Sequence, residues 1–421
     1  MSTATAGKPL KNVIVIGGSY VGLMAAKELI ELLNPDTHRV VVVDKNSHFG
    51  HLFAYPRFAI SPGHEHKAFI PFHPMLLAPH AIIQAEAIGF EPATGGGKVL
   101  LDRDVVVEGW RGREVEYEAA VVATGTKLSK PGTLDTEKKD SITYLQSVQS
   151  KLKNAQNIVI IGGGAVGVQM ATDLSILYPS SNKSITVIQS RRLMPRFHPK
   201  LHEIVQARFD ELGVRTLSNV RAKIPEGGYE KLNEAGGGEV ELENGRRVKA
   251  NYVIHALGQT PNSALLTSSL PSTILASGFL RVTPSLLLDP SDSTETERLD
   301  GRVWALGDIA ESGAPKAARP AMQQAQIVAR NLVKRLKGER EDSYETFTPS
   351  PGAIHLTLGV VESIIFRNPA SHVDAQTGEV CWDGEPEFFW KDDGREDMGI
   401  ESVWERRVPG FVVGDIEKYH L

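Results

Sequence analysis

Residues 13–22 read VIVIGGSYVG and residues 158–167 read IVIIGGGAVG, so one pattern occurs twice, offset by 145 positions. Each copy opens on a β-branched run with the composition of a buried strand, KNVIVI at 11–16 and NIVII at 157–161. Each then enters a segment with apolar residues on one helical face, VGLMAAKELIEL or VGVQMATDLSIL. Between strand and helix stand Gly17, Ser19 and Gly22 in the first copy, and Gly162, Gly164 and Gly167 in the second. Glycines at this spacing let the chain turn sharply and bring its backbone against a pyrophosphate at the helix N-terminus. The serine is small, so the first copy loses little.

A lone glycine pattern is weak evidence, and the flanking residues strengthen it. RVVVVD ends at Asp44, 22 residues beyond Gly22, and SITVIQ ends at Gln189, 22 residues beyond Gly167. A carboxylate at that strand end accepts hydrogen bonds from ribose hydroxyls. The second copy instead has neutral Gln189, followed by Ser190, Arg191 and Arg192. Without an acid to repel a 2′-phosphate, and with two arginines beside it, this site favours NADPH over NADH. Two dinucleotide sites in one chain are most simply a resident FAD and a nicotinamide nucleotide that delivers hydride to it. The strands YEAAVVATGTKL (117–128) and VKANYVIHALGQTPN (248–262) fit as returns beneath each cofactor. GRVWALGDIAE (301–311) sets Asp308 at a strand end, before a helix whose N-terminus favours negative charge.

Composition narrows the classes. Hydrophobic residues at 41% and charged residues at 23% of 421 positions suit a soluble globular protein of two or three domains. A formal net charge of −5 gives no electrostatic reason to bind nucleic acid. No stretch approaches the roughly 20 apolar residues of an integral membrane segment. The opening MSTATAGKPLKN has neither the regions of a signal peptide nor a glycine for N-myristoylation, so a cytoplasmic location is the expectation. With Cys381 as the single cysteine, no internal dithiol carries the redox chemistry.

Together these motifs resemble the two-dinucleotide-binding FAD/NAD(P) oxidoreductases, and within them the apoptosis-inducing-factor-like group that includes the ferroptosis suppressor and fungal relatives. The likeness runs from residue 11 to about 340 through GGSYVG, VVDKNSHFGHLFAYPR, ATGTK, IGGGAVG, IQSRRLMP, ALGQTPN and WALGDI. It implies non-covalent FAD, NAD(P)H as donor and often a quinone as acceptor. By this resemblance Gly17, Ser19 and Gly22 hold the FAD pyrophosphate, Asp44 and Lys45 sit at the adenosine ribose, and Ala87 lies near adenine. Thr124 and Gly125 flank the cofactor, Asp308 takes the ribityl chain, and FAYPR (53–57) runs beside the isoalloxazine, with Arg57 at its end. Gly162, Gly164, Gly167, Gln189, Arg191, Arg192 and Gly258 line the nicotinamide nucleotide site.

The implied fold class is α/β. A FAD domain at 1–130 and 259–345 is split by a Rossmann-like NAD(P) domain at 131–258, and an α+β domain follows at 346–421. Glycine-rich stretches at 94–98 and 235–239 read as hairpin turns, and 287–301 as a polar surface loop. Hydride transfer needs placement and dryness more than acid–base groups, so the catalytic candidates are few. Lys316 and then Arg57 are the cations for the pyrimidine edge of a reduced flavin, and His51 or His48 is a proton donor beside a quinone-like acceptor. His64 and His66 lack the further ligands of a metal site.

The last part departs from the resemblance. Residues 371–421 contain 13 acidic against 5 basic side chains, which an anionic leaflet would repel. Trp382, Phe388, Phe389, Trp390 and Trp404 there suit a substrate pocket, a homodimer contact or local core. The leading reading is an FAD-dependent NAD(P)H oxidoreductase passing electrons to a quinone or another small organic acceptor. A tailoring oxidase of natural-product biosynthesis, with a biosynthetic intermediate as substrate, and a non-enzymatic NAD(P)H-responsive redox sensor are the alternatives.

Overall fold

The computed structural model describes residues 9–73, 75–107, 110–179 and 183–420. Its two compact units are each assembled from three stretches of chain. The first comprises residues up to Phe49, Pro71–Lys127 and Thr260–Ser350; the second comprises Gly50–Ile70, Leu128–Gln259 and the chain from Pro351 onward.

In the first unit the β-branched runs form five parallel strands, ordered Val303–Ala305, Ala119–Val122, Lys11–Ile16, His38–Asp44 and Ala81–Gln84. Alternate side chains divide between two cores, as strand geometry requires. Val13, Val15, Val40 and Val42 pack with Leu29, Val328 and Leu332 of the helices Tyr20–Leu32 and Ala318–Leu336. Ile14, Ile16, Val41 and Val43 pack with Phe90, Val99 and Val115 of an antiparallel sheet, Ala87–Ala93, Gly96–Val107 and Trp110–Tyr117. Both faces are covered, which is why these strands are apolar throughout.

The second unit repeats the plan with four parallel strands, Arg215–Ser218, Ser184–Gln189, Asn157–Ile161 and Tyr252–His255. Its C-terminal part adds the antiparallel strands Ala353–Thr357, Ser363–Arg367 and Glu387–Lys391 and the helix Ile400–Arg407. The α/β class with two Rossmann-like sheets is therefore as expected.

Two local expectations need correction. The glycines at 236–238 do not close a hairpin: Gly236, at φ +69°, ends the helix Glu230–Ala235, and the chain then enters the strand Gly238–Glu241. The turn of that hairpin lies instead before Arg247–Ala250, at Asn244–Gly245. Residues 287–301 are not all loop, because Ser293–Leu299 is a helix. Asp292 caps it, accepting from the Thr294 and Glu295 amides at 2.8 and 3.1 Å. An acid at N-cap with Glu at N3 is a readable start signal. Among the described residues no helix is long and apolar enough to cross a membrane.

Candidate functional site

Each unit contains one strand–glycine–helix corner, and the two corners share a shape. Gly17 has φ +110° and Gly162 φ +116°, which L side chains rarely adopt. A Cβ at Gly17 would lie 2.3 Å from the Ala123 carbonyl oxygen, and one at Gly162 would lie 2.2 Å from that of Ala256. One turn on, a Cβ at Gly22 would lie 1.8 Å from the Gly17 oxygen, and one at Gly167 would lie 1.9 Å from the Gly162 oxygen. Strand, returning strand and helix therefore meet at backbone contact. The helices Tyr20–Leu32 and Ala165–Leu177 begin at Ser19 and Gly164 with no side-chain cap. Their first-turn N–H groups form an edge suited to an anion. A Cβ at Gly164 would meet no protein atom within 4 Å, so the space before that helix is open. The cradles fit a diphosphate.

The strand ends share one loop contact and differ in charge. One Asp44 carboxylate oxygen accepts from the Gly18 amide at 2.5 Å, and the other accepts from the amide and side chain of Asn46 at 2.7 and 2.8 Å. Burial lifts the Asp44 pKa above its ordinary value, while these hydrogen bonds oppose the shift. In the second unit Gln189 Oε1 accepts from the Gly163 amide at 2.7 Å. An amide thus makes the loop contact that a carboxylate makes in the first. Lys45 is exposed, 3.7 Å from Glu86, and Ala87 opens the strand Ala87–Ala93.

Further along the first unit, Thr124 and Gly125 are clamped to Asn262. The Thr124 hydroxyl donates to the Asn262 carbonyl at 2.8 Å, Asn262 Nδ2 donates to the Thr124 carbonyl at 2.8 Å, and the Asn262 amide donates to Gly125 at 3.1 Å. Asp308, in the turn Gly307–Ile309, accepts from the Thr126 hydroxyl at 3.3 Å. Buried Gln324 accepts from the Gly307 amide at 2.8 Å and fixes that turn. Asn262 and Gln324 escaped the sequence reading, although Asn262 closes the quoted ALGQTPN. Lys316 donates to the Ala310 carbonyl at 2.6 Å, lies 3.5 Å from Glu311, and sits 4.2 Å over the Phe279 ring.

The second unit holds the other predicted cations. Arg191 is exposed. Arg192 donates one terminal nitrogen to the Phe197 carbonyl at 2.7 Å, while its buried Nε has no hydrogen-bond partner. Gly258 is exposed after the strand Tyr252–His255. Arg57 is only 1% exposed, and each of its three nitrogens donates within this unit. The partners are Asp173 at 2.5 Å, the Arg395 carbonyl at 3.2 Å and the Gly359 carbonyl at 3.0 Å. Burial pushes the Asp173 carboxyl up to about 6, with Arg57 opposing, so it is ionised at neutral pH. This arginine is built as an anchor.

His64 packs its ring on Phe58 at 5.7 Å, and His66 stacks on His420 at 4.8 Å. Among the described residues no three His, Cys, Asp or Glu side chains gather as metal ligands. Burial, with Arg407 and Arg406 nearby, lowers the His51 pKa to about 4, so the imidazole is neutral at pH 7. Because the folded pKa is depressed, His51 contributes stability that is present above about pH 6.5 and lost as pH falls towards 4. A His51→Gln variant is expected to flatten that part of the stability profile in denaturant titrations from pH 7 to 4. An unchanged slope would contradict it.

The pyridine nucleotide-disulphide oxidoreductase family model matches residues 8–325. The chain is 31% identical over 418 residues to Fe-regulated protein 8 of Mycosarcoma maydis, covering 94% of this chain and 95% of that one. It is 26% identical over 361 residues to ferroptosis suppressor protein 1 of Mus musculus, covering 83% and 86%. The sulfide:quinone oxidoreductase of Aquifex aeolicus superposes with a TM-score of 0.66 at 18% identity, over 85% of this chain and 83% of that one. That likeness is one of fold.

Proposed function

This chain belongs to the pyridine nucleotide-disulphide oxidoreductase family, as an FAD-dependent NAD(P)H oxidoreductase, and we propose that it delivers electrons to a quinone or another small organic acceptor. The observation that carries the acceptor reading is the cysteine count. Cys381 is the single cysteine of the sequence, so electrons cannot pass to a disulfide within this chain. They must leave on a separate molecule.

FAD, when bound, supplies the hydride-accepting and electron-donating chemistry. The domain assignment follows the motifs, with FAD at 1–130 and 259–345 and the nicotinamide nucleotide at 131–258. In the first domain the corner at Gly17, Ser19 and Gly22 takes a diphosphate. Asp44 and Lys45 face a ribose, Ala87 lies near adenine, Thr124 and Gly125 pass beside the cofactor, and Asp308 binds the ribityl chain. In the second, Gly162, Gly164 and Gly167 take the other diphosphate, with Gly258 beside it. Lys316 is the candidate cation for the flavin's pyrimidine edge. As its ammonium is already bound to the Ala310 carbonyl, it would act from a fixed position.

NADPH is the preferred donor in this reading. Gln189 replaces a repelling carboxylate, and exposed Arg191, with half-buried Arg192 beside it, offers cationic donors to a 2′-phosphate. Arg192→Ala is expected to raise KM for NADPH by about 10- to 100-fold, the value of one or two charge-assisted hydrogen bonds, and to leave NADH unchanged. Equal losses with both donors would remove the 2′-phosphate assignment. The test of the function is anaerobic stopped-flow mixing with NADPH and NADH, followed by addition of a soluble quinone. Loss of the oxidised flavin absorbance and its return on quinone addition are expected. Flavin that neither donor bleaches would sink the reductase reading, and bleached flavin that quinone fails to reoxidise would sink the acceptor.

A further inference from the structure

Between the strand Ser184–Gln189 and the helix Pro199–Glu211 of the second unit, the chain runs SRRLMPRFH over residues 190–198. Three backbone clasps hold this loop. The Met194 amide donates to the Gly163 carbonyl of the glycine corner at 2.8 Å. The Leu193 amide donates to Nδ1 of His202, in the first turn of the following helix, at 3.2 Å. At the far end the His198 amide donates to Asn368 Oδ1 at 3.0 Å. Met194 sits at φ +49°, a left-handed conformation that an L residue keeps only where its surroundings impose it. Leu193 is fully buried and packs on the corner: a Cβ at Gly163 would lie 2.5 Å from Leu193 Cδ2 and 3.3 Å from the Gln189 Cβ.

We propose that His202 is a positioning residue for donor selectivity: by accepting the Leu193 amide, it fixes the loop that carries Arg191 and Arg192 in the shape that recognises a 2′-phosphate. The inference rests on the NADPH reading given above. Leu193 is closed off from water, so its amide, without His202, would be left with no acceptor. The loop escapes that cost by unwinding the left-handed kink at Met194, which shifts Arg191 and Arg192 just upstream. The corner itself is held separately, by Gln189 Oε1 on the Gly163 amide at 2.7 Å. Loss of the clasp therefore falls on the 2′-phosphate rather than on the diphosphate.

The clasp needs a neutral imidazole, because only an unprotonated Nδ1 accepts a hydrogen bond. Burial, with Arg192 beside it, lowers the His202 pKa below its ordinary value, and Glu203 opposes the shift. Of these two charged groups, Arg192 faces the ring from the loop and Glu203 belongs to its own helix. At pH 7 the ring is neutral and accepts. A proton on Nδ1 would set N–H against the Leu193 N–H and one cation beside another. The clasp is thus released in acid, and selectivity for the 2′-phosphate falls with it.

The test is calorimetric titration of the FAD-bound full chain with ADP-ribose and with its 2′-phosphate, probes that differ in that group alone and cannot transfer hydride. The wild type is expected to bind the phosphorylated probe more tightly at pH 7.5. His202→Phe keeps a ring but no acceptor. It is expected to lose about 10-fold in affinity for that probe, the order of one unmet buried hydrogen bond, and less than about 2-fold for ADP-ribose. His202→Asn, whose Oδ1 can take the place of Nδ1, is expected to retain the preference. From pH 7.5 to 5.5 its preference should also decline less than that of the wild type, since the probe's own protonation at about pH 6 is common to both proteins. A His202→Phe protein that keeps the wild-type preference, with circular dichroism confirming its fold, overturns the proposal. An Asn variant that fails to retain the preference, or a decline equally steep in both proteins, overturns it too. If the Phe variant does not fold, the Asn comparison across pH decides alone. A wild type that binds the two probes alike is a distinct result, which removes the 2′-phosphate reading and this proposal with it.

Discussion

Gly167→Ala is expected to yield protein that purifies yellow yet is no longer reduced by NADPH or NADH, whereas Gly22→Ala is expected to purify colourless. The new methyl would sit 1.9 Å from the Gly162 carbonyl oxygen in the first variant and 1.8 Å from that of Gly17 in the second. Carbon contacts are ordinarily about 3.5 Å, so the helix must retreat from the loop by an ångström or more. The atom met is backbone, which no rotamer change can move aside. Displacing the first helical turn also moves the N–H groups proposed to hold the diphosphate. An overpacking cost of about 3 kcal/mol, concentrated at the binding corner, corresponds to at least ~100-fold in the second-order rate of flavin reduction. Gly164→Ala separates the causes, because its methyl would meet no protein atom within 4 Å. That variant should melt like the wild type and still lose nucleotide affinity. Equal effects of Gly22→Ala and Gly167→Ala on bound flavin would contradict the assignment of one nucleotide to each corner.

Both corners are legible in the sequence because backbone geometry admits so few residues there. A positive φ and a sub-van der Waals approach select glycine, and the strand-end residue 22 positions beyond the helix glycine falls where the parallel neighbour delivers it. Asn262 was harder to see because its work is done on the Thr124–Gly125 backbone, 138 positions away from Thr124 in sequence. Arg57 shows another kind of difficulty. Its neighbourhood in FAYPR suggests a cofactor contact, but a cation is placed by its counter-ion, and that counter-ion lies 116 residues on. A signal for it does exist. Asp173 is the one charged residue of Ala165–Leu177 and stands between Thr172 and Leu174, both buried. A lone buried acid in an otherwise uncharged helix is rarely unpaired. Composition marks such a residue as needing a partner without saying which of the 46 lysines and arginines supplies it.

Asp173→Ala should then be among the most destabilising single substitutions in the second unit. Asp173 is 0% and Arg57 1% exposed, with 2.5 Å between Nε and the carboxylate. Removing the acid leaves a guanidinium that cannot deprotonate in a site closed to water, held only by the Gly359 and Arg395 carbonyls. Breaking a buried pair from one side costs about 3–5 kcal/mol, most of it the uncompensated charge rather than the lost attraction. Arg57→Met tests the other side and should cost less, since Asp173, already pushed up to about 6, can escape its charge by taking a proton. The double variant Arg57→Met with Asp173→Ala removes both charges. It should recover much of the loss, so that the two single costs sum to more than the double. Chemical denaturation of the four proteins at pH 7 closes the cycle. If the single and double costs add, the two residues are not coupled and Arg57 is held by the carbonyls alone. If they couple as expected, Arg57 acts by joining the helix that starts at the second glycine corner to the C-terminal segment at Gly359 and Arg395.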